Sequence, residues 1–359
     1  ITDLPHPSHH RSWIEVDLSA IEENVRRLRA LVGPDVQLMP SVKADAYGHG
    51  AIAVTHALLA AGADRIGVAT CEEGEELRAV GIRAPIHILG TSLPEEVSRA
   101  VAAGLTINAH EMELARLVSL EATKQQQQAV VHLMIDTGMG RLGILPEDAA
   151  RAAAALQSLP HVTLEGVCMH FAQPDDEAYS EEQLSRFGRA LEALEQSAPR
   201  MPLRHASASA ASILYPQARF EMIRPGAAVY GFLNPGRLRE RFPLIPALSW
   251  RCAVVQLKEY PAGASLGYNR TFTTERPTRI AVLPLGYADG YLRAWSNRAQ
   301  VLIRGKRAPV VGMVSMDYTM VDVTDLSEVE VGSEVTLIGE SHGDRIALEE
   351  LAEIGRAHV

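Results

Sequence analysis

Eight times between residues 36 and 224 a short apolar run gives way to a stretch with helical spacing, and this repeat limits what the chain can fold into more than any other feature. The runs are 36–42 ending at Lys43, RIGVAT, PIHILG, LTINA, AVVHLMID (129–136), VTLEGVCMH (162–170), LRHAS (203–207) and FEMIR (220–224). They recur every 20–35 residues or so, the spacing of strand–helix units. Before the first of them, Ser19-x-x-Glu22 is expected to open a helix carrying Ile21, Val25, Leu28 and Leu31 on one face, closed by Gly33. Thr70-x-x-Glu73, Ser92-x-x-Glu95 and Asn108-x-x-Glu111 have the same capping pattern, and Gly62, Gly81 and Gly104 stand where helices should end. Helices are also expected over 146–158 and 180–197, while Gln125–Gln128 reads as a solvated helix end.

Eight parallel units with no G-x-G-x-x-G after the first strand predict a closed (β/α)8 TIM-like barrel rather than an open doubly wound sheet. In such a barrel the chemistry gathers at the C-terminal ends of the strands. Lys43, Arg141, His170, Ser209 and Arg224 all fall there and should converge on one mouth. From about residue 238 the pattern changes to short alternating runs between turns, such as LSWRCAVVQLKEY and TRIAVLPLGY. This predicts a mostly β C-terminal domain over 238–359 after a barrel over 1–237, with a linker at 234–246 carrying Pro235, Pro243 and Pro246. The first 15 or so residues are expected to pack with the β domain.

Composition narrows the partners. A net charge of −10 and no basic cluster longer than RGKR at 304–307 argue against nucleic acid. No run approaches the ~20 apolar residues of a membrane span. The opening ITDLPHPSHHRS has no basic-then-apolar leader, and a chain that starts with Ile is expected to have lost residues upstream. Cys71, Cys168 and Cys252 lack CxxC or zinc-like spacing, which predicts a reducing cytoplasm and no metal site.

Lys43 is the first candidate for chemistry. A lysine ending a buried strand sheds ammonium hydration, which favours the free amine that can form a Schiff base with an aldehyde. On position alone a surface lysine is the commoner reading, and a lone His170 or Tyr268 would read as an ordinary core histidine or strand aromatic.

Seven motifs together reverse those odds. PSVKADAYGHG, IDTGMGRLGI, EGVCMHFA, RPGAAVYG, SLGYNRTF, PLGYADGY and VSMD, in this order, resemble the alanine racemase family, fold-type III enzymes that use pyridoxal 5′-phosphate (PLP). The resemblance implies that Lys43 carries PLP and then acts as a base. A second base, Tyr268, would come from the β domain of the partner in a homodimer. Racemisation removes a proton from one face of Cα and returns one to the other, so two bases on opposite sides suit it. Free tyrosine titrates near ~10, so neighbouring charge or hydrogen bonds must help it. His170 would bridge Arg224 and Tyr268. Arg224 would face the pyridine nitrogen and, staying charged, keep it unprotonated. Tyr47, Ser209 and the amides of Gly226 and Ala227 would hold the phosphate, with Tyr230 also at the cofactor. Arg141 would reach the phenolic oxygen or the substrate carboxylate, and Tyr287 and Met316 would line the partner's substrate entrance.

The resemblance has departures. Met134 stands where many members carry a carbamylated lysine that buttresses the arginine; Ala208-Ser209 replaces Asn-Ser; Ser315 replaces Cys; and ELAEIGRAHV lacks a tyrosine-bearing stretch. These leave broad-specificity or serine racemisation open beside L- and D-alanine interconversion for cell-wall precursors. A fold-type III decarboxylase and a non-catalytic PLP carrier are the further alternatives.

Overall fold

The computed structural model describes residues 10–197, 203–233 and 237–355. The opening residues 1–9, Pro235 of the expected linker and residues 356–359 of the closing stretch lie outside them. The chain forms two compact units, one running from Leu18 to Ala247, the other joining the strand before it to the stretch from Leu248 onward.

The first strand, β1 (Ser12–Val16), belongs to the second unit, where it pairs antiparallel with Leu248–Ala253. The helix Leu18–Val32 opens the barrel unit; it begins before Ser19, so Ser19 lies in its first turn rather than capping it. Ile21, Val25 and Leu28 are fully buried on its inner face. Eight parallel segments follow: β2 (Gln37–Leu38), β3 (Ile66–Val68), β4 (Ile86–Ile88), β5 (Thr106–Ala109), β6 (Ala129–Met134), β7 (Val162–Cys168), β8 (Leu203–His205) and β9 (Met222–Ile223). β3 to β8 pair in sequence order and β2 pairs with β9. The ring closes at both seams, through the Ser41–Gly67 bridge and through the bond from the Arg224 amide to the Ser207 carbonyl at 2.8 Å. The division falls between Ala247 and Leu248, beyond the expected 237/238 boundary. The segment up to Ala247 is tied to the barrel: Asn24 donates to Ile245 O and accepts from its amide, and the Ala247 amide donates to Tyr230 O.

Two other expected caps shift. The helix Pro94–Ala102 starts after Leu93, whose amide donates to Glu96, so Ser92-x-x-Glu95 is one residue early. Asn108 caps nothing; the next helix begins at Met112, and Asn108 is buried at the end of β5 with its amide spent on Ile88 O and Leu89 O. Thr70 does cap Cys71–Ala79, accepting from the Glu73 amide, but the Glu73 side chain turns elsewhere.

In the second unit, β10 (Leu248–Ala253) also pairs with Glu334–Ser341, which continues to Gln300–Ile303 and Lys306–Pro309; a separate antiparallel sheet joins Gln256–Tyr260, Thr278–Leu283 and Thr319–Asp322. Alternating apolar residues of these strands meet in one core with Cys252, Leu283, Val301 and Leu337, covered by Tyr291 and Trp295.

Candidate active site

A cavity of about 620 Å³ opens at the C-terminal ends of the barrel strands, and Lys43, Tyr47, Arg141, His170, Ser209, Arg224, Gly226 and Ala227 line it. The structure thus brings together eight of the residues singled out from the sequence. Lys43 is exposed in that cavity rather than buried at the strand end, contrary to the expectation from the apolar run before it. Its placement comes from an unusual turn: Ala44, Asp45, Ala46 and Tyr47 all have φ between 51° and 56°, four successive left-handed residues without a glycine. Glu73 holds the turn, accepting from the amides of Ala44 at 2.7 Å and Ala69 at 2.6 Å. Asp45 accepts from the Ala51 amide, joining the turn to the helix Ala51–Ala60.

Opposite this turn, Ser209 Oγ accepts from the amides of Gly226 and Ala228 at 3.0 and 3.1 Å. A Cβ at Gly226 would sit 2.5 Å from the Tyr47 hydroxyl, so the cradle between the two depends on that glycine. Tyr230 does not line the cavity. It is fully buried, donates to Ser41 O at 2.8 Å and packs 5.0 Å from the Tyr47 ring, so it backs the wall instead of lining the cavity as expected.

Arg224 forms the floor. One of its terminal nitrogens bonds His205 Nδ1 at 2.7 Å; the other donates to Met169 O and Ala206 O and lies 3.2 Å from His170 Nδ1. Its Nε–H has no protein acceptor among the described residues. Burial, then the charges of Arg224, Arg141 and Lys43, push His170 down to about 3, so its imidazole is neutral.

The loop bearing Arg141 is braced by Asp136, which accepts from the amides of Gly138 and Gly140, and by Tyr179 and Arg186, which donate to Gly138 O and Thr137 O. The guanidinium itself has no partner among the described residues, and the buried Met134 beside the cavity can offer it none. Tyr268, Tyr287 and Met316 belong to the β unit and are 69%, 44% and 53% exposed. There the amide of Tyr287 donates to Ser315 O and that of Ala288 to Met316 O, so these two turns support one another.

Sequence reasoning missed Glu73 as a support of the Lys43 turn, Asn108 and Cys168 as lining, and His132 and His205 inside the barrel. A histidine in an otherwise apolar strand such as AVVHLM was the available signal for His132.

The donor set suits PLP: an amine for the aldehyde, a hydroxyl-and-amide cradle that a methyl would fill for the phosphate, and an unspent guanidinium N–H for a ring nitrogen. Fold and site together define a (β/α)8 enzyme with a mostly β domain, whose cavity suits a phosphorylated aldehyde. The alanine racemase N-terminal domain model matches residues 16–234 and the C-terminal domain model residues 247–357. An alanine racemase of Symbiobacterium thermophilum is 44% identical over 343 residues, 95% of this chain and 91% of that one. The Clostridium difficile 630 alanine racemase structure superposes with a TM-score of 0.91 at 31% identity, covering 96% of this chain and 90% of that one. A Bartonella henselae alanine racemase with covalently bound pyridoxal phosphate gives 0.85 at 27% identity, over 96% and 94% of the two chains. The chain belongs to the alanine racemase family, and with it to the PLP-dependent racemases.

Proposed function

We propose that the protein interconverts L- and D-alanine by a two-base route, in a homodimer whose sites are each completed by the β domain of the other copy. When bound, PLP draws electrons from the substrate Cα–H bond. Lys43 would hold the cofactor, and its free amine would take or return a proton at Nζ on one face of Cα. Tyr268 does the same at its phenolic oxygen on the other face, and its 69% exposure in one copy supports a role at a second. Tyr47, Ser209 and the amides at Gly226 and Ala227 would hold the phosphate, with the ring of Tyr230 packed behind Tyr47. Arg224 would meet the ring nitrogen with its Nε–H. A charged guanidinium cannot hand over its proton there, which limits the ring as an electron sink and favours clean proton return.

Neutral His170 accepts from Arg224, leaving its Nε2–H to orient a neighbouring oxygen. Arg141, without a partner among the described residues, is free to meet the substrate carboxylate. Tyr287 and Met316 would narrow the substrate entrance of the other copy. The product would supply D-alanine for peptidoglycan in the cytoplasm, a setting consistent with three free, buried cysteines and with no described helix long and apolar enough to cross a membrane.

The observation that carries the reading is the meeting of Lys43, Arg224 and the Ser209–Gly226–Tyr47 cradle in one cavity of a family member. Chiral chromatography of L-alanine after incubation with protein and PLP should show both enantiomers approaching equal amounts. L-alanine recovered unchanged would refute it, and faster loss of L-serine would move the substrate.

A further inference from the structure

Behind Arg224 a line of hydrogen bonds runs through the barrel interior, away from the cavity. His205 Nε2 lies 2.7 Å from His132 Nδ1, His132 Nε2 lies 2.9 Å from Glu165 Oε2, and Glu165 is gripped through both oxygens by Arg65 at 2.6 and 2.9 Å. Arg65 in turn donates to Gln37. Arg65 immediately precedes β3, so the line reaches the N-terminal end of the strands, far from the substrate side. His132 and His205 have 0% and 1% of their surface exposed.

The two ends dictate every proton between them. A guanidinium only donates, so His205 Nδ1 must carry the lone pair and Nε2 the hydrogen. His132 Nδ1 must therefore accept, and its Nε2–H points at a carboxylate that only accepts. Both imidazoles are neutral in this arrangement, since a proton on His205 Nδ1 would face the guanidinium at 2.7 Å. His87, edge-on to His132 at 4.5 Å, stands outside the line, because its Nε2 bonds Asn108.

We propose that Glu165 is a positioning residue for Arg224, acting through His132 and His205 as a one-way hydrogen-bond relay that sets the roll of the guanidinium and hence the direction of its Nε–H. Aligned bonds in a low-dielectric interior polarise one another, so the carboxylate strengthens each link up to Arg224. The functional half of this inference rests on the reading that Arg224 meets the cofactor ring.

The test compares Glu165→Leu with Glu165→Gln in the full-length protein. Leucine removes the acceptor, so the His132 Nε2–H loses its partner while Arg224 still fixes which nitrogen of each imidazole carries the hydrogen; glutamine keeps an oxygen for His132. Ring-¹⁵N histidine NMR should show both residues as Nε2–H in all three proteins, with the Nε2–H protons moved clearly upfield in Glu165→Leu and much less in Glu165→Gln. PLP dissociation, followed by absorbance, should weaken about 10- to 100-fold in Glu165→Leu alone, with kcat lowered and KM for L-alanine unchanged. If Glu165→Leu does not fold, His132→Leu breaks the line one link closer and should give the same PLP and kcat losses. Unchanged Nε2–H proton positions in Glu165→Leu, or either histidine found as Nδ1–H in the natural protein, would overturn the relay, and shifted protons with unchanged PLP affinity would overturn its role at Arg224. Arg224→Ala separates the two readings: if it leaves PLP affinity and kcat intact, the assignment of Arg224 to the cofactor has failed, and the positioning role with it, while the NMR arm still decides the relay.

Discussion

Glu73 and Ala44 are joined by a 2.7 Å bond from the Ala44 amide to the Glu73 carboxylate, whose other oxygen takes the Ala69 amide at 2.6 Å. One side chain from the helix after β3 thereby fixes the residue after Lys43 to the end of a neighbouring strand. Glu73→Gln keeps the shape but turns an NH2 group toward one of the two amides. A lost bond of this kind is worth about 1–3 kcal/mol. PLP affinity or kcat should fall about tenfold, while the melting temperature moves by a few degrees at most. Unchanged kinetics would show that the left-handed turn holds Lys43 unaided.

Gly226→Ala places a methyl 2.5 Å from the Tyr47 hydroxyl. Tyr47 is exposed and can swing aside, so folding should be little affected. The phosphate cradle should suffer, with PLP dissociation raised about tenfold, or ~1.4 kcal/mol. Equilibrium titration of apoprotein with PLP reads this directly. Pyridoxal, which lacks the phosphate, should be affected far less.

Gly286→Ala is a contrasting case, because the added methyl would sit 2.0 Å from the Ser315 carbonyl and 2.5 Å from that of Met316. Backbone cannot rotate away as Tyr47 can. Overpacking of this kind costs about 1–3 kcal/mol, so denaturant midpoints should drop. The turns carrying Tyr287 and Met316 should be displaced, raising KM more than it lowers PLP affinity.

Much of this arrangement was legible in the chain. Repeated strand–helix spacing was enough for the barrel, and strand-end positions were enough for Lys43, His170 and Arg224 to share a cavity. What sequence could not supply was direction. Asn108 has the residue type and spacing of a cap, but a buried amide at the end of β5 finds better partners in β4. Tyr230 sits in the same motif as Gly226, yet its ring faces the wall, because its hydroxyl is claimed by Ser41 O. Glu73 follows Thr70 at capping-box spacing but reaches across to Ala44, a contact set by tertiary packing.

Acid should unfold the protein early. Burial holds His87 and His205 well below their ordinary range, lowers His132, and takes His170 to about 3. Their folded values are depressed, so the unfolded chain binds the extra protons. The corresponding stability is fully present above the unfolded histidine value of about 6.5 and is lost as pH falls below it, at up to ~1.4 kcal/mol per pH unit for each residue. Urea midpoints should fall steeply from pH 6.5 to 5; a flat profile over that range would mean these histidines are not held neutral.

The central claim, that Lys43 and Tyr268 of different copies serve one α-carbon, is tested most directly by subunit mixing. Lys43→Ala and Tyr268→Phe, each inactive alone, are co-expressed or refolded together and assayed for alanine racemisation. With random pairing in a two-fold dimer, half of the dimers are mixed and each has one intact site, so about a quarter of natural activity should return. No recovery from a mixture shown to contain heterodimers would contradict the account.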